Sequence, residues 1–169
     1  MKLIIINGPS GIGKSTVAKM LHEDMPMSFL LDIDAQRRYI SHYRENPEES
    51  ETMSHVIGKN IVLACFESDR DVILKKLILR ANILDAYRAI AEKYGAGIQE
   101  CILWASKNFV MERTHARGWR ENGLLTPEKC ELFWEKMNRF KEERMQAKLI
   151  DVMNLSTDEV YKKIKEIQF

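Results

Sequence analysis

Gly8-Pro9-Ser10-Gly11-Ile12-Gly13-Lys14-Ser15 is the stretch whose residue types and spacing carry the clearest chemistry. Glycines at its ends allow the backbone to curl so that successive N–H groups point inward at an anion. A helix beginning right after the loop adds its positive N-terminal end. Lys14 can then reach the β- and γ-phosphates of a nucleoside triphosphate, and the Ser15 hydroxyl can ligate Mg²⁺. Ser10, Gly11, Ile12, Gly13 and Thr16 belong to the same cradle. A glycine-rich turn that binds nothing is the bland alternative. At average glycine usage a chance match to the fixed positions is on the order of one per cent for a chain of this size. The apolar run Leu3-Ile4-Ile5-Ile6 before it and the helical pattern after it make chance a poorer account still.

Carboxylates and cations after the other strands are the next candidates. Asp34 follows a second apolar run, Ser28 to Ile33, and is expected near the γ-phosphate. There it could accept the proton of an attacking hydroxyl, ligate Mg²⁺ through water, or cap a helix. Asp32, two residues earlier, shares its side of the strand and is a weaker rival. Arg37, one helical turn after Asp34, could hold an anionic group of an acceptor bidentately. Arg113, Arg117 and Arg120 form a second basic cluster interrupted by Gly118 and bounded by Gly123. Arginines on such a hinged flap can stabilise charge on a transferring phosphoryl group, or can line an ordinary solvated helix face. The histidines show no metal-ligand spacing.

Positioning these groups requires an alternation of strands and helices. The pattern predicts strands over residues 2–7, 28–33, from 71 toward 77, 98–104 and 149–152. Helices are predicted over residues 13–24, from 34, 52–69, 83–94, from 106, from 126 to about 143, and from 157. Asp34 is the expected cap of the second helix, Thr126 that of the sixth, and Ser156-Thr157-Asp158-Glu159 a capping box for the last. Val56, Ile57, Ile61, Ala64, Cys65 and Phe66 supply the expected apolar stripe of the third helix. Alternation of this kind means a parallel sheet with helices on both faces and ligands at the carboxyl ends of its strands.

The chain has 169 residues, 45% apolar and 30% charged, with a formal net charge of +1. That suits a single domain over residues 1–169 and argues against wholesale wrapping of nucleic acid. Cys65, Cys101 and Cys130 lack metal or disulfide spacing and read as buried thiols. No stretch has the length of a membrane span, and the expected location is cytoplasmic.

Taken together, Gly8 to Ser15, Asp34-x-x-Arg37, Arg113-x-x-x-Arg117 and Asn154-Leu155-Ser156 resemble the P-loop kinase superfamily. The similarity is to its small phosphotransferases: polynucleotide 5′-kinase domains, chloramphenicol phosphotransferase and zeta-toxin type kinases, and gluconate and shikimate kinases. It runs along nearly the whole chain and implies an α/β, three-layer P-loop NTPase fold with a five-stranded parallel sheet in the order 2-3-1-4-5. It also implies ATP with Mg²⁺ on the loop, an arginine-bearing lid over about residues 107–125, and Asp34 as general base. Arg37 would contact acceptor or phosphate, Arg113 and Arg117 would contact the ATP phosphates or clamp the base, and Asn154 would border the adenine. Many relatives carry an acidic residue near the end of strand three, where this chain has Leu74-Lys75-Lys76-Leu77. One of these lysines could enter the acceptor site, or both could be solvated past the strand. The resulting expectation is transfer of the γ-phosphate of ATP to the hydroxyl of a small molecule, nucleoside, nucleotide or nucleic-acid 5′ end. The competing readings are an ATP-binding regulatory module and a plain ATPase.

Overall fold

The computed structural model describes residues 1–119 and 125–167. The expectations for Arg120 and Gly123, and the corresponding part of the lid, lie outside the described residues. In chain order the elements are β1 (Lys2–Asn7), α1 (Lys14–Asp24), β2 (Phe29–Asp32), α2 (Ile33–Arg37), α3 (Pro47–Glu67), β3 (Val72–Lys75), α4 (Ala81–Lys93), β4 (Gly97–Trp104), α5 (Lys107–Ala116), α6 (Pro127–Glu143), β5 (Lys148–Asp151) and α7 (Thr157–Lys165). The strands form one parallel sheet in the order β2-β3-β1-β4-β5. This is the three-layer α/β fold expected from the sequence.

β1 is central and apolar on both sides because helices cover both faces. Leu3 and Ile5 pack with Leu31, Val62, Phe66, Leu74, Leu84 and Tyr87 on one face. Ile4 and Ile6 pack with Val17, Leu21, Ile73, Leu103, Val110 and Ile164 on the other. Parallel pairing brings the carboxyl ends of β1, β2 and β3 side by side, so Asn7, Asp32 and Lys75 end neighbouring strands.

Four local expectations are corrected. β2 stops at Asp32, which is itself the cap of α2: its Oδ1 accepts from the Ala35 N–H at 3.1 Å. Asp34 is thereby displaced from the cap into the first turn, where its carboxylate is left for other partners. Helix α3 begins at Pro47, earlier than residue 52, because proline suits a first turn. Its buried stripe is Ser50, Ser54, His55, Gly58, Val62 and Phe66, while Val56 is exposed. The predicted stripe was rotated because small and polar residues, rather than aliphatic ones, face inward over the first half of this helix. Cys101 and Cys130 are buried, but Cys65 is only partly so.

Two polar contacts stand out inside the core. Arg144, at the C-terminal end of α6, donates to both carboxylate oxygens of Glu100 on β4, at 2.9 and 3.1 Å, and to Asp85 on α4 at 2.6 Å. His55 on α3 lies beside Tyr87 of α4, with Nδ1 to hydroxyl 3.3 Å. Burial, with Lys76 and Arg80 nearby, pulls the His55 pKa down to about 4.

Replacing Arg144 with Met strips the fully buried Glu100 carboxylate of its two close hydrogen bonds and leaves it Arg88, at 3.6 Å. Urea unfolding should show a loss of about 3 kcal/mol or more, largely restored in the double variant with Glu100→Leu. The depressed His55 pKa means that the unfolded chain binds the extra proton first. Its stabilising contribution is complete above the ordinary histidine range and is lost as pH falls toward 4. Unfolding free energy measured between pH 7 and 4 should therefore fall by roughly 2 kcal/mol more in the wild type than in His55→Phe.

Candidate active site at the strand ends

The loop between β1 and α1 is held by its neighbours as much as by its own turns. Asn7 is fully buried, and its side-chain carbonyl accepts from the N–H groups of Gly8 at 2.8 Å and Ile78 at 2.9 Å. Its amide donates to the Ile78 carbonyl at 2.8 Å. One side chain thus clamps the mouth of the loop to the segment following β3. Gly8 has φ +142°, and a Cβ there would stand 2.5 Å from the Leu103 carbonyl oxygen. At Gly11 a Cβ would stand 2.6 Å from Thr114 Oγ1, so α5 lies directly against the loop. Ile12 is buried beneath it, whereas Ser15 and Thr16 are exposed on the first turn of α1. No side chain caps α1, leaving its N-terminal end available to an anion.

Lys14 folds back over this loop, its Nζ donating to the carbonyls of Gly8 at 2.7 Å and Pro9 at 2.8 Å. Desolvation lowers its pKa to about 8. Asp34 opposes the shift, while Lys75, Arg117 and Lys76 add to it by repulsion. These charges all act on the space above the loop.

The ends of β2 and β3 decide the lysine question. Lys75 is in register with Asp32 on one side and Ile6 on the other. Its Nζ lies 2.5 Å from Asp32 Oδ2 and 3.1 Å from Ser15 Oγ. Lys76 is 5% exposed, and its Nζ donates to Asp34 Oδ1 at 2.9 Å. Neither lysine is solvated past the strand; both turn into the cleft. Partial desolvation opposes charge on Asp34, but Lys76, by charge and hydrogen bond, together with Lys14 and Lys75, outweighs it. The carboxyl is held below its usual range, while its side chain remains 58% exposed toward the cleft.

Ser15 and Asp32 offer a hydroxyl and a carboxylate, the donor types that hydrated Mg²⁺ takes beside a polyphosphate. They fit such an ion in kind, although both oxygens are bonded to the Lys75 ammonium.

The remaining candidates are dispersed. Arg37 Nε donates to Ser50 Oγ at 2.9 Å and its Nη2 to the Pro47 carbonyl at 2.5 Å, with the guanidinium 5.8 Å from the centre of the Tyr43 ring. It thus holds the start of α3, the helix beside Asp34, with its guanidinium bonded to Ser50 and Pro47 rather than to Asp34. Arg117 ends α5, and its charge is felt at Lys14. Arg113 is exposed and lies 5.3 Å from the centre of the Phe109 ring on its own helix. Asn154 lines a groove of about 740 Å³ along β5 and α7, whose walls include no residue of the phosphate loop. Ser10 sits at the bend of the loop, part-buried.

Sequence reasoning missed Asn7, and it ranked Asp32 below Asp34. Asn7 had a signal, a polar residue closing an apolar strand. The pairing of Asp32 with Lys75 depends on strand register and had none. His55 Nε2 and Gln36 Oε1 are buried without a partner. These polar atoms stand on α3 and α2, the two helices that flank the Asp34 side of the cleft.

Comparison with known proteins agrees with this architecture. No curated protein matches the chain. Among solved structures, the tunicamycin resistance protein of Deinococcus radiodurans superposes with a TM-score of 0.68 at 23% identity, covering 96% of this chain and 92% of the other. A gluconokinase from Sinorhizobium meliloti gives 0.69 at 18% identity, with 96% and 89% covered. Deoxyadenosine kinase from M. mycoides, solved with dCMP and a flexible dCDP, gives 0.57 at 14% identity, with 98% and 97% covered. At these identities the likeness is one of fold. The profile of the AAA domain family matches residues 3–149. With its loop between β1 and α1 and its 2-3-1-4-5 sheet, the chain has a P-loop NTPase α/β fold and belongs to the AAA domain family.

Proposed function

We propose that the protein is an ATP-dependent phosphotransferase that moves the γ-phosphate to a hydroxyl of an acceptor bound beside α2 and α3. The observation that carries this reading is Asp34, an ionised carboxylate in the cleft whose charge reaches Lys14 above the phosphate loop. Transfer to a hydroxyl calls for a carboxylate in this part of the cleft, and Asp34 supplies one.

In this mechanism the loop amides and Lys14 hold the β- and γ-phosphates, with Lys14 exchanging its bonds to Gly8 and Pro9 for phosphate oxygens. Once the Lys75 ammonium leaves these two oxygens, Ser15, with Asp32 through water, would hold Mg²⁺, which would supply positive charge against the phosphates. Asp34 orients the acceptor hydroxyl and takes its proton as the oxygen bonds to the γ-phosphorus. The bond to the β-phosphate oxygen breaks and ADP leaves. Lys76 keeps Asp34 ionised and aimed, and Arg117 supplies positive charge from the end of α5. Arg37 acts through the placement of α3, Arg113 serves as a further arginine of the flap, and Asn154 borders the adenine. Among the described residues no helix is long and apolar enough to cross a membrane, and we place the reaction in the cytoplasm.

The hold of Lys76 on Asp34 favours a second reading, in which the carboxylate is kept from acting as a base and the protein binds or hydrolyses ATP without an acceptor. Labelled ATP incubated with pooled nucleosides, oligonucleotides, sugars and aminoglycosides separates the two. Label on any acceptor selects transfer; phosphate release independent of acceptor selects hydrolysis.

With an acceptor in hand, Asp34→Asn should lower turnover by ~10²–10⁴-fold and leave ATP affinity within a few-fold. An Asp34→Asn enzyme of normal turnover removes the base. Lys14→Ala should lose ATP affinity and turnover together, as read by calorimetry and by the labelling assay.

A further inference from the structure

Lys75 has no part in the mechanism above, yet it occupies the most consequential position beside the loop. It ends β3, the strand adjacent to β1, at the level where Ser15 opens toward the cleft. Its Nζ bridges Ser15 Oγ and Asp32 Oδ2, at 3.1 and 2.5 Å. The other oxygen of Asp32 is committed to the cap of α2, so the carboxylate is fixed in orientation. An ammonium has three N–H donors, and two are directed at these oxygens. The third is left for an acceptor. The Lys75 side chain is 14% exposed, so it is packed in place rather than waving in solvent. A hydroxyl and a carboxylate sharing one positive charge beside a phosphate loop is the arrangement otherwise completed by a divalent ion.

We propose that Lys75 is a phosphate-binding residue whose tethered ammonium takes the cation position between Ser15 and Asp32, so that the chain binds a metal-free nucleoside triphosphate. The proposal rests on the nucleotide-binding half of the reading above and does not depend on transfer. An exchange of partners follows from it. A triphosphate arriving without metal meets a cation already seated at the loop. A triphosphate arriving with metal must displace Lys75 from Ser15 and Asp32, because a divalent ion on these oxygens would be repelled by the ammonium already seated there. Metal then contributes little to affinity in the wild type and more once the lysine is gone.

The test is calorimetric titration of ATP into the wild type, Lys75→Met and Lys75→Arg, each in excess EDTA and in excess MgCl₂, with no acceptor present. Circular dichroism checks the fold, and Lys75→Gln replaces the methionine variant if that chain does not fold. For the wild type the dissociation constants with and without metal should agree within a few-fold. Lys75→Met should lose about tenfold or more in EDTA, the worth of one charge-assisted hydrogen bond, while binding as well or better in MgCl₂. Lys75→Arg should recover much of the metal-free affinity. If metal changes the affinity of wild type and Lys75→Met by the same factor, the proposal is overturned and the phosphotransfer reading stands. If no chain binds ATP in either condition, both fall. Lys75-dependent binding without label on any acceptor supports the proposal and removes only transfer.

Discussion

Two ion pairs, Asp32 with Lys75 and Asp34 with Lys76, join the ends of β2 and β3 directly beside the phosphate loop. The rest of the site depends on them. Lys14, Lys75 and Lys76 set three positive charges against the two aspartates, and Arg117 adds to the excess. The space is therefore electropositive before any ligand arrives, although the protein as a whole carries a formal charge of only +1. Pairing keeps that excess affordable. Lys76, nearly buried, would be costly without Asp34, and Lys76 does most to hold the Asp34 carboxyl below its usual range against desolvation.

The pairs matter mechanically as well as electrically. Asn7 ties the mouth of the loop to the segment after β3, close to the two lysines in sequence. Thr114 brings α5 against Gly11, so the arginine at the end of α5 rides on a helix that touches the loop. Arg37, on the next turn after Asp34, fastens α2 to the start of α3. Loop, lysines and the wall of the proposed acceptor site thus form one connected unit, and a change at one strand end is felt at the others.

Legibility in the sequence followed the range of the physics. The phosphate loop was readable because its requirements are local: glycine where a Cβ would strike Leu103, and a lysine and hydroxyl at set positions on a first helical turn. The sheet order was readable through the resemblance that those local motifs support. The start of α2 was less so, since Asp32 and Asp34 are equally good caps in isolation. The buried face of α3 was misread because its inward residues are Ser50, Ser54, His55 and Gly58, which carry no apolar signal.

By itself the sequence determined an anion-binding loop on a parallel α/β scaffold, because curl, charge and strand–helix alternation are properties of neighbouring residues. Tertiary structure alone decided what Lys75 and Lys76 do. Residues from β2 and β3 meet only through parallel register, which sets Asp32 against Lys75 across a separation in sequence that no local pattern spans. The same register decided between the two readings that the sequence left open for Lys75 and Lys76, setting them beside the loop rather than in solvent.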